Sequence, residues 1–363
     1  MFVKNCWYVA AWDHEVLADT LLARTLLGNA ILIYRKADGS PVALDNRCSH
    51  RHAPLSMGRR EGDSIRCLYH GLKYDAEGQC VEIPGQDAIP AKLCQRAYPI
   101  VVRERWLWIW MGDPARADEA LIPQTFSLKD DGWRYKPGYL HYNTDYLLIC
   151  DNLLDFSHLS YVHERTLGGS PNIAQARPEV KRIPRGVHVT RDVRNTVPAP
   201  YHARLGSFAG QVNRRFSYDF MVPGVLLMKT HVKPAERDDD DMTGALQFHS
   251  CQALTPETET STHYFFMQAH NFRLDDVTIT ESIYQSLCTA FEEDRRIIEA
   301  QQRLINASVP APMQPIAADL ALAQYRRVLQ ELLDAESASE KTSVVSGPEP
   351  RAVRKSETDA SPA

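Results

Sequence analysis

Two short segments of the chain each combine one cysteine with one histidine. Cys48 and His50 are separated by one residue; after sixteen intervening residues come Cys67 and His70, separated by two. Two thiolates and two imidazoles can bind one zinc ion, or a 2Fe-2S cluster with the thiolates on one iron and the imidazoles on the other. Zinc fingers usually pair Cys with Cys and His with His, whereas both segments here are mixed. The pattern therefore favours a Rieske-type 2Fe-2S cluster, with a zinc site as the alternative.

A second set of candidate ligands begins a hundred residues later. His158 and His163 lie in a segment with helical periodicity, predicted over residues 146–165. A spacing of five places them about 140° apart on a regular helix, so a π-type bulge or a helix end near Ser160 is required. Two histidines and one carboxylate would form a non-haem Fe(II) site with open positions for O2 and substrate. The alternative is two unrelated histidines on a helix surface.

The third ligand is predicted on a long amphipathic helix over residues 277–306. At helical spacing Asp294 falls on the apolar face of this helix, whereas Glu292 and Glu293 do not. The apolar residues of that face are Ile283, Leu287, Phe291 and Ile298. A carboxylate on an apolar face is costly unless a cation or hydrogen bonds compensate it. Asp294 is therefore the predicted ligand, and a buried salt-bridge partner is the alternative.

With these motifs the sequence resembles the Rieske non-haem iron oxygenases, more narrowly those of the vanillate O-demethylase and toluenesulfonate methyl-monooxygenase type. The resemblance runs from Asn5 to about residue 335, and residues 151–163 match the family pattern D-N-x-x-D-x-x-H-x-x-x-x-H. It implies an α+β protein with an N-terminal all-β Rieske domain. It also implies a C-terminal catalytic domain of helix-grip type, with a curved antiparallel sheet.

Two further residues of this motif are predicted to serve catalysis. Asp155 precedes His158 by three residues, so its carboxylate is expected to accept a hydrogen bond from the second ring nitrogen of that ligand. The resemblance implies that a carboxylate here bridges to a Rieske histidine, His70, of a neighbouring subunit in a homotrimer. Asn152, one turn earlier, is expected to help hold this bridge. The alternative is that Asp155 only caps a helix or forms a salt bridge.

The order of elements predicts two domains and a tail. Short apolar runs between turn residues predict an all-β domain over residues 1–115. A catalytic domain is predicted over 116–335, with strands between about 177 and 270 and helices over 277–306 and 317–335. Ser, Glu, Lys, Pro and Ala dominate residues 336–363, which are predicted to be a disordered tail.

Composition and motifs limit the classes of partner expected for this chain. The chain has 363 residues and a formal net charge of -5, with Lys and Arg scattered, which argues against a nucleic-acid surface. No apolar run of about 18 residues and no secretion signal occur, so neither a membrane nor export is expected and the location is predicted to be cytoplasmic. The glycines form no G-x-G-x-x-G motif. A separate reductase is therefore expected, and the resemblance implies a flavoprotein with its own 2Fe-2S domain.

The resemblance also implies the substrate class. It points to hydroxylation by O2 of a methyl or methoxy group on a small aromatic acid or sulfonate. From the residues themselves, Gln252 lies on the core face of a predicted strand and is a candidate pocket residue. Candidates for an anion partner, each expected more often to be solvated, are Arg214, Arg215, Lys229, His231 and His249. Aromatic cis-dihydroxylation, N-demethylation and a Rieske electron carrier without mononuclear iron remain as alternatives.

Overall fold

The chain is built mainly from antiparallel strands, with two long helices towards its C-terminal end. The computed structural model describes residues 2–168, 170–309 and 311–345. Strands before residue 112 form three small sheets, and strands from residue 138 onward form one large sheet. The predicted α+β class is confirmed. The domain boundary at 115/116 stays a prediction.

The N-terminal part contains eleven strands in three antiparallel sheets. The first sheet has the order β1-β11-β10, with β1 at Trp7–Trp12, β10 at Ile100–Arg103 and β11 at Trp106–Trp110. The second has the order β2-β3-β4-β9, with β2 at Leu22–Leu26, β3 at Asn29–Arg35, β4 at Pro41–Asp45 and β9 at Ala97–Tyr98. The third has the order β5-β6-β7-β8, with β5 at Arg59–Glu61, β6 at Ser64–Arg66, β7 at Lys73–Tyr74 and β8 at Cys80–Glu82.

The large sheet has seven antiparallel strands in the order β12-β18-β17-β16-β15-β14-β13. Their bounds are Gly138–Tyr142 for β12, Glu179–Ile183 for β13, Gly186–Thr196 for β14, Val212–Met221 for β15, Val225–Pro234 for β16, Leu246–Thr258 for β17 and Ser261–His270 for β18. β17 and β18 are buried on both faces over much of their length. In β15 buried and less buried residues alternate from Arg214 onward, as in a strand with one face on the core.

Five α-helices accompany this sheet in the described part of the chain. They are α1 at Tyr146–Leu154, α2 at Asn172–Gln175, α3 at Pro200–Leu205, α4 at Val277–Ala307 and α5 at Leu320–Val345. The Asp276 side chain caps α4 by accepting a hydrogen bond from Thr278 N at 3.0 Å. The apolar face of α4 packs on the sheet, where the Phe291 ring lies 4.9 Å from Phe266 and 5.2 Å from Tyr264. None of the described helices is long and apolar enough to cross a membrane.

Two predictions about helices need correction. The helix expected over 146–165 ends at Leu154, because Asp155 adopts an extended conformation (φ -122°, ψ 95°) and then caps a 3-10 helix at Phe156–Ser160. The tail expected to be disordered from residue 336 is helical up to Val345 as the end of α5. Glu336 accepts a hydrogen bond from Lys4 N at 3.0 Å, which ties α5 to the start of the chain. The rest of the predicted tail, 346–363, lies outside the described residues.

Candidate metal centres

The four residues of the Cys/His pattern lie on two loops beside the third small sheet. One loop precedes β5 and the other connects β6 to β7. Each closes on itself through backbone hydrogen bonds, from His52 N to Cys48 O at 2.8 Å and from Gly71 N to Cys67 O at 3.1 Å. Gly71 has φ +74°, and a Cβ there would lie 2.7 Å from the side chain of Pro84, so this turn requires glycine.

The thiols and the imidazoles of these loops are segregated. Cys48 and Cys67 are buried, with their side chains in contact, whereas His50 and His70 are exposed, with ring centroids 4.6 Å apart. A Rieske cluster requires this separation, because its inner iron binds two thiolates and its outer iron two imidazoles. The Tyr74 hydroxyl lies 3.2 Å from Cys48 Sγ and can donate a hydrogen bond to the thiolate. The residues therefore fit a Rieske cluster.

The second centre brings together residues from two distant segments. One ligand atom each of His158, His163 and Asp294 lies within 4.8 Å of the others. Asp294 Oδ1 is 3.1 Å from His163 Nε2 and 3.6 Å from His158 Nε2. Both histidines come from the segment after α1, where the 3-10 helix ends at Ser160, and the aspartate comes from α4. Because the 3-10 helix ends between the two histidines, residues five apart in sequence can reach one centre, which a regular helix would not allow.

The outer nitrogens of both histidines are hydrogen-bonded, so the inner nitrogens face the centre. His158 Nδ1 lies 2.5 Å from the backbone oxygen of Asp155, and His163 Nδ1 lies 2.7 Å from Glu293 Oε2. With Nδ1 donating, each Nε2 carries the lone pair that binds a metal. Burial lowers the pKa of His158 despite the nearby carboxylates, which favours the neutral form that metals require. Two imidazoles and one buried carboxylate fit an Fe(II) ion with open coordination positions.

The structure alters the contacts expected of Asp155 and Asn152. The backbone oxygen of Asp155, not its carboxylate, accepts the hydrogen bond from His158. The carboxylate instead caps the 3-10 helix, accepting from Ser157 N at 2.8 Å and Ser157 Oγ at 2.7 Å, and lies 3.6 Å from Arg191. Asn152 Nδ2 donates to Asp294 Oδ1 at 3.0 Å, so its amide holds the ligand carboxylate rather than a bridge at Asp155.

Glu293 is a further candidate residue of this centre that the sequence pattern did not indicate. Its side chain accepts hydrogen bonds from His163 Nδ1 and from Thr166 Oγ1, both at 2.7 Å. Helical periodicity excluded it from the apolar face on which Asp294 lies, and its partner is 130 residues away in the chain. Its position directly beside Asp294 was the available signal, because ligating histidines are commonly oriented by a carboxylate.

We expect the Glu293→Ala variant to bind mononuclear iron about 10- to 100-fold more weakly, because His163 loses the acceptor that orients its ring. Affinity is measured by competition with a chelator for Fe(II), with the Rieske spectrum as an internal standard. Glu292→Ala is the matched control, since that neighbouring side chain pairs with Arg295 at 2.7 Å. Equal iron affinity in the two variants would contradict a role for Glu293 at His163.

The three candidate iron ligands line one cavity. Most of its wall is apolar, with Leu153, Phe156, Leu159, Leu167, Phe216, Met228, Leu287 and Phe291. The candidate Gln252 also lines the cavity, and its Oε1 accepts a hydrogen bond from the Tyr264 hydroxyl. Its role in binding substrate stays a prediction.

Of the five candidate anion partners, Arg214 lines this cavity. Arg215, its neighbour on β15, forms a salt bridge with Asp192 at 3.0 Å and is partly exposed. The His249 ring hydrogen-bonds Ser127 and stacks on Trp133 with ring centroids 3.8 Å apart. Lys229 lies over the ring of Phe126. The residues that line the cavity do not include His231.

The cluster loops, the second centre with its two histidines and one carboxylate, and its cavity together define a Rieske-type oxygenase with a separate mononuclear iron. The sequence matches the Rieske [2Fe-2S] domain over residues 6–98 and the C-terminal domain of vanillate O-demethylase oxygenases over residues 142–335. The chain therefore belongs to the vanillate O-demethylase-type family of Rieske oxygenases. It is an oxidoreductase of the monooxygenase type that uses a Rieske 2Fe-2S cluster and mononuclear iron.

Relatives of known activity match nearly the whole chain. The iron–sulfur subunit of a toluene-4-sulfonate monooxygenase system from Comamonas testosteroni is 48% identical over 343 residues, which cover 93% of this chain and 99% of that protein. A vanillate O-demethylase oxygenase subunit from a Pseudomonas species is 33% identical over 344 residues, covering 93% and 96%. A solved structure of dicamba monooxygenase bound to 3,6-dichlorosalicylic acid superimposes with a TM-score of 0.86 at 32% identity, covering 93% and 99%.

Proposed function

We propose that this protein is the terminal oxygenase component that hydroxylates the methyl or methoxy group of a small aromatic acid or sulfonate. The observation that carries the proposal is that the His158, His163 and Asp294 centre lines a mostly apolar cavity. An aromatic ring fits such a wall, and its substituents would meet the metal ligands within the same cavity. Relatives that act on toluene-4-sulfonate, vanillate and dicamba support this substrate class.

The reaction consumes one O2, two electrons and two protons for each substrate molecule. An aryl methyl group gains one oxygen atom to give the alcohol, and the other oxygen atom leaves as water. A hydroxylated methyl ether is a hemiacetal, which breaks down to the phenol and formaldehyde. The iron supplies oxygen activation and the cluster supplies single electrons. The chain's own residues hold the ring, and the apolar wall excludes water from it.

The electrons are proposed to come from a separate reductase, a flavoprotein with a 2Fe-2S domain. This chain contains no G-x-G-x-x-G motif for a dinucleotide, and its relatives are described as subunits or components of systems. Apolar side chains beside the cluster ligands are exposed and could meet a protein partner; these are Met57, Leu68 and Tyr69. A cytoplasmic location is part of the proposal, since the described cysteines are all free thiols.

We also propose a homotrimer in which each Rieske domain faces the iron centre of the next subunit. Asp155 would then connect His158 of one subunit to His70 of its neighbour. Three features are consistent with this arrangement. The Asp155 carboxylate keeps about a fifth of its surface exposed, His70 is exposed, and the Asp155 backbone already contacts His158. A head-to-tail contact of this kind closes into a ring.

The test of the reaction is a screen with a compatible reductase and 18O2 of four substrate classes: aromatic methyl ethers, aryl methyl compounds, arylsulfonates and N-methyl compounds. We expect each aryl methyl compound that is converted to give an alcohol with one labelled oxygen atom. Each converted ether should give an unlabelled phenol, with the labelled oxygen atom released in the formaldehyde. A product with two labelled hydroxyl groups would instead establish cis-dihydroxylation. Conversion of N-methyl compounds alone would establish N-demethylation, and either result would overturn the proposed reaction.

A further inference from the structure

Arg214 is a buried arginine without an acidic partner among the described residues. Its exposed fraction is 3%, and no carboxylate lies within salt-bridge distance of it in the described part of the chain. Arg191, which is equally buried on the neighbouring strand β14, lies 3.6 Å from Asp155. Burying a charge without a counter-charge is costly. The uncompensated charge of Arg214 therefore indicates a binding site for an anion that is not part of the protein.

The existing contacts of Arg214 position its guanidinium without neutralising it. Nη1 donates to the backbone oxygen of Gly168 at 3.0 Å and Nη2 donates to that of Leu167 at 3.2 Å. Nε has no hydrogen-bond partner among the described residues. Burial lowers the pKa of this arginine, and no carboxylate counteracts the effect. The side chain is fixed by neutral carbonyls, and the Nε–H remains free to donate.

Two more unpaired hydrogen-bonding groups lie on the same wall of the cavity. Thr230 Oγ1 and Gln268 Nε2 are buried, form no hydrogen bond of ordinary geometry in the described residues, and line the cavity with Arg214. The Tyr201 hydroxyl, which also lines the cavity, lies near the Gln268 amide. Gln268 Oε1 accepts from Ser250 Oγ at 3.2 Å, so its amide NH2 remains to donate. Arg214 on β15 pairs with Val232 on β16, and Thr230 lies two residues before Val232 on that strand, so Arg214 and Thr230 are diagonal neighbours. A long side chain spans such a diagonal.

We propose that Arg214, assisted by Thr230 and Gln268, binds the sulfonate or carboxylate group of the aromatic substrate. This inference rests on the proposed function and adds the residues that select for the anion. An arginine Nε–H, an amide NH2 and a hydroxyl can all donate to one oxyanion, and hydrogen bonds to a charged acceptor are the strong ones. The iron ligands line the same cavity. Holding the anion at the sheet thus leaves the rest of the ring to fill the space beside the metal centre.

The test compares binding of 4-toluenesulfonate and of its neutral analogue methyl 4-tolyl sulfone to the complete enzyme, by calorimetry without O2. We expect the Arg214→Gln variant to bind the sulfonate about 100-fold more weakly, because a charged hydrogen bond is lost in a dry site. Binding of the sulfone should change less than about 3-fold. Arg215→Gln is the matched control, since its side chain pairs with Asp192, and it should bind the sulfonate as the wild type does.

A second variant keeps the proposal testable if Arg214→Gln fails to fold. Thr230→Val keeps the side-chain shape and removes one hydrogen-bonding group, so we expect about 10-fold weaker sulfonate binding with an unchanged sulfone. Unchanged sulfonate binding in both variants, or equal losses for sulfonate and sulfone, would overturn the assignment of the anion site. Turnover separates the two proposals. Arginine-dependent binding without any oxidised product would overturn the proposed reaction but leave the anion site in place.

Discussion

The Asp294→Ala variant is expected to lose its mononuclear iron and to retain its Rieske cluster. Asp294 supplies the only carboxylate among the three converging ligand atoms of the described residues, so two imidazoles alone would hold the metal weakly. We expect activity to fall by about 1000-fold or more, because the reaction depends on the metal. Iron analysis and the EPR signal of the reduced cluster measure the two sites separately in one sample.

The matched control for this variant is Glu292→Ala, which removes a carboxylate two positions earlier on α4. Glu292 forms a salt bridge with Arg295 and does not contact the histidines. We expect it to keep both metal centres and its activity. His158→Ala and His163→Ala should behave as Asp294→Ala does. Normal mononuclear iron in Asp294→Ala would show that another carboxylate binds the metal, with Glu293 the nearest candidate because it already contacts His163.

The second large effect is expected for Asp155→Asn. Asparagine is as good a helix cap as aspartate, so the hydrogen bond from Ser157 N should persist. The amide NH2 that replaces the second carboxylate oxygen can donate to Ser157 Oγ, so the variant should differ mainly in charge. If Asp155 bridges the centres of neighbouring subunits, turnover should fall by about 100-fold while the trimer, the cluster and the iron stay intact. In a single-turnover experiment with substrate and O2, the reduced cluster should fail to become oxidised.

A matched control is Asp276→Asn at the cap of α4, where the aspartate accepts from Thr278 N and is exposed. It should keep wild-type turnover. The structure also shows the contacts of the simpler alternative, since Asp155 caps a helix and lies near Arg191. Wild-type turnover in Asp155→Asn, or a fully active monomer, would mean that these contacts are its whole role.

The sequence was enough to predict both sets of candidate ligands, because each depends on residue type and local spacing. Cysteine and histidine in mixed pairs identify the cluster loops without knowledge of the fold. Asp294 was found because a carboxylate on an otherwise apolar helix face needs an explanation, and the structure buries it beside two histidines. The two long helices and the strands of the large sheet followed from hydrophobic periodicity.

Contacts between distant segments could not be obtained in this way. Glu293 reaches His163 across 130 residues, and nothing in the local pattern indicates their distance. Five basic residues on three strands had similar local sequence support as anion partners. Sheet register and packing on the loop at Leu167 and Gly168 placed Arg214 in the cavity. The prediction that the Asp155 carboxylate accepts a hydrogen bond from His158 was wrong. The helix ends at Leu154, so the backbone oxygen of Asp155 faces His158 instead.

The most direct test of the two-centre account is the metal content of the purified enzyme. The account predicts about three iron atoms and about two acid-labile sulfides per chain, with two irons in the cluster and one at the His158, His163 and Asp294 centre. The third iron should be removable by a chelator that leaves the cluster spectrum unchanged, and activity should return when Fe(II) is added. Full activity with two irons per chain, or zinc in place of the cluster, would contradict the account.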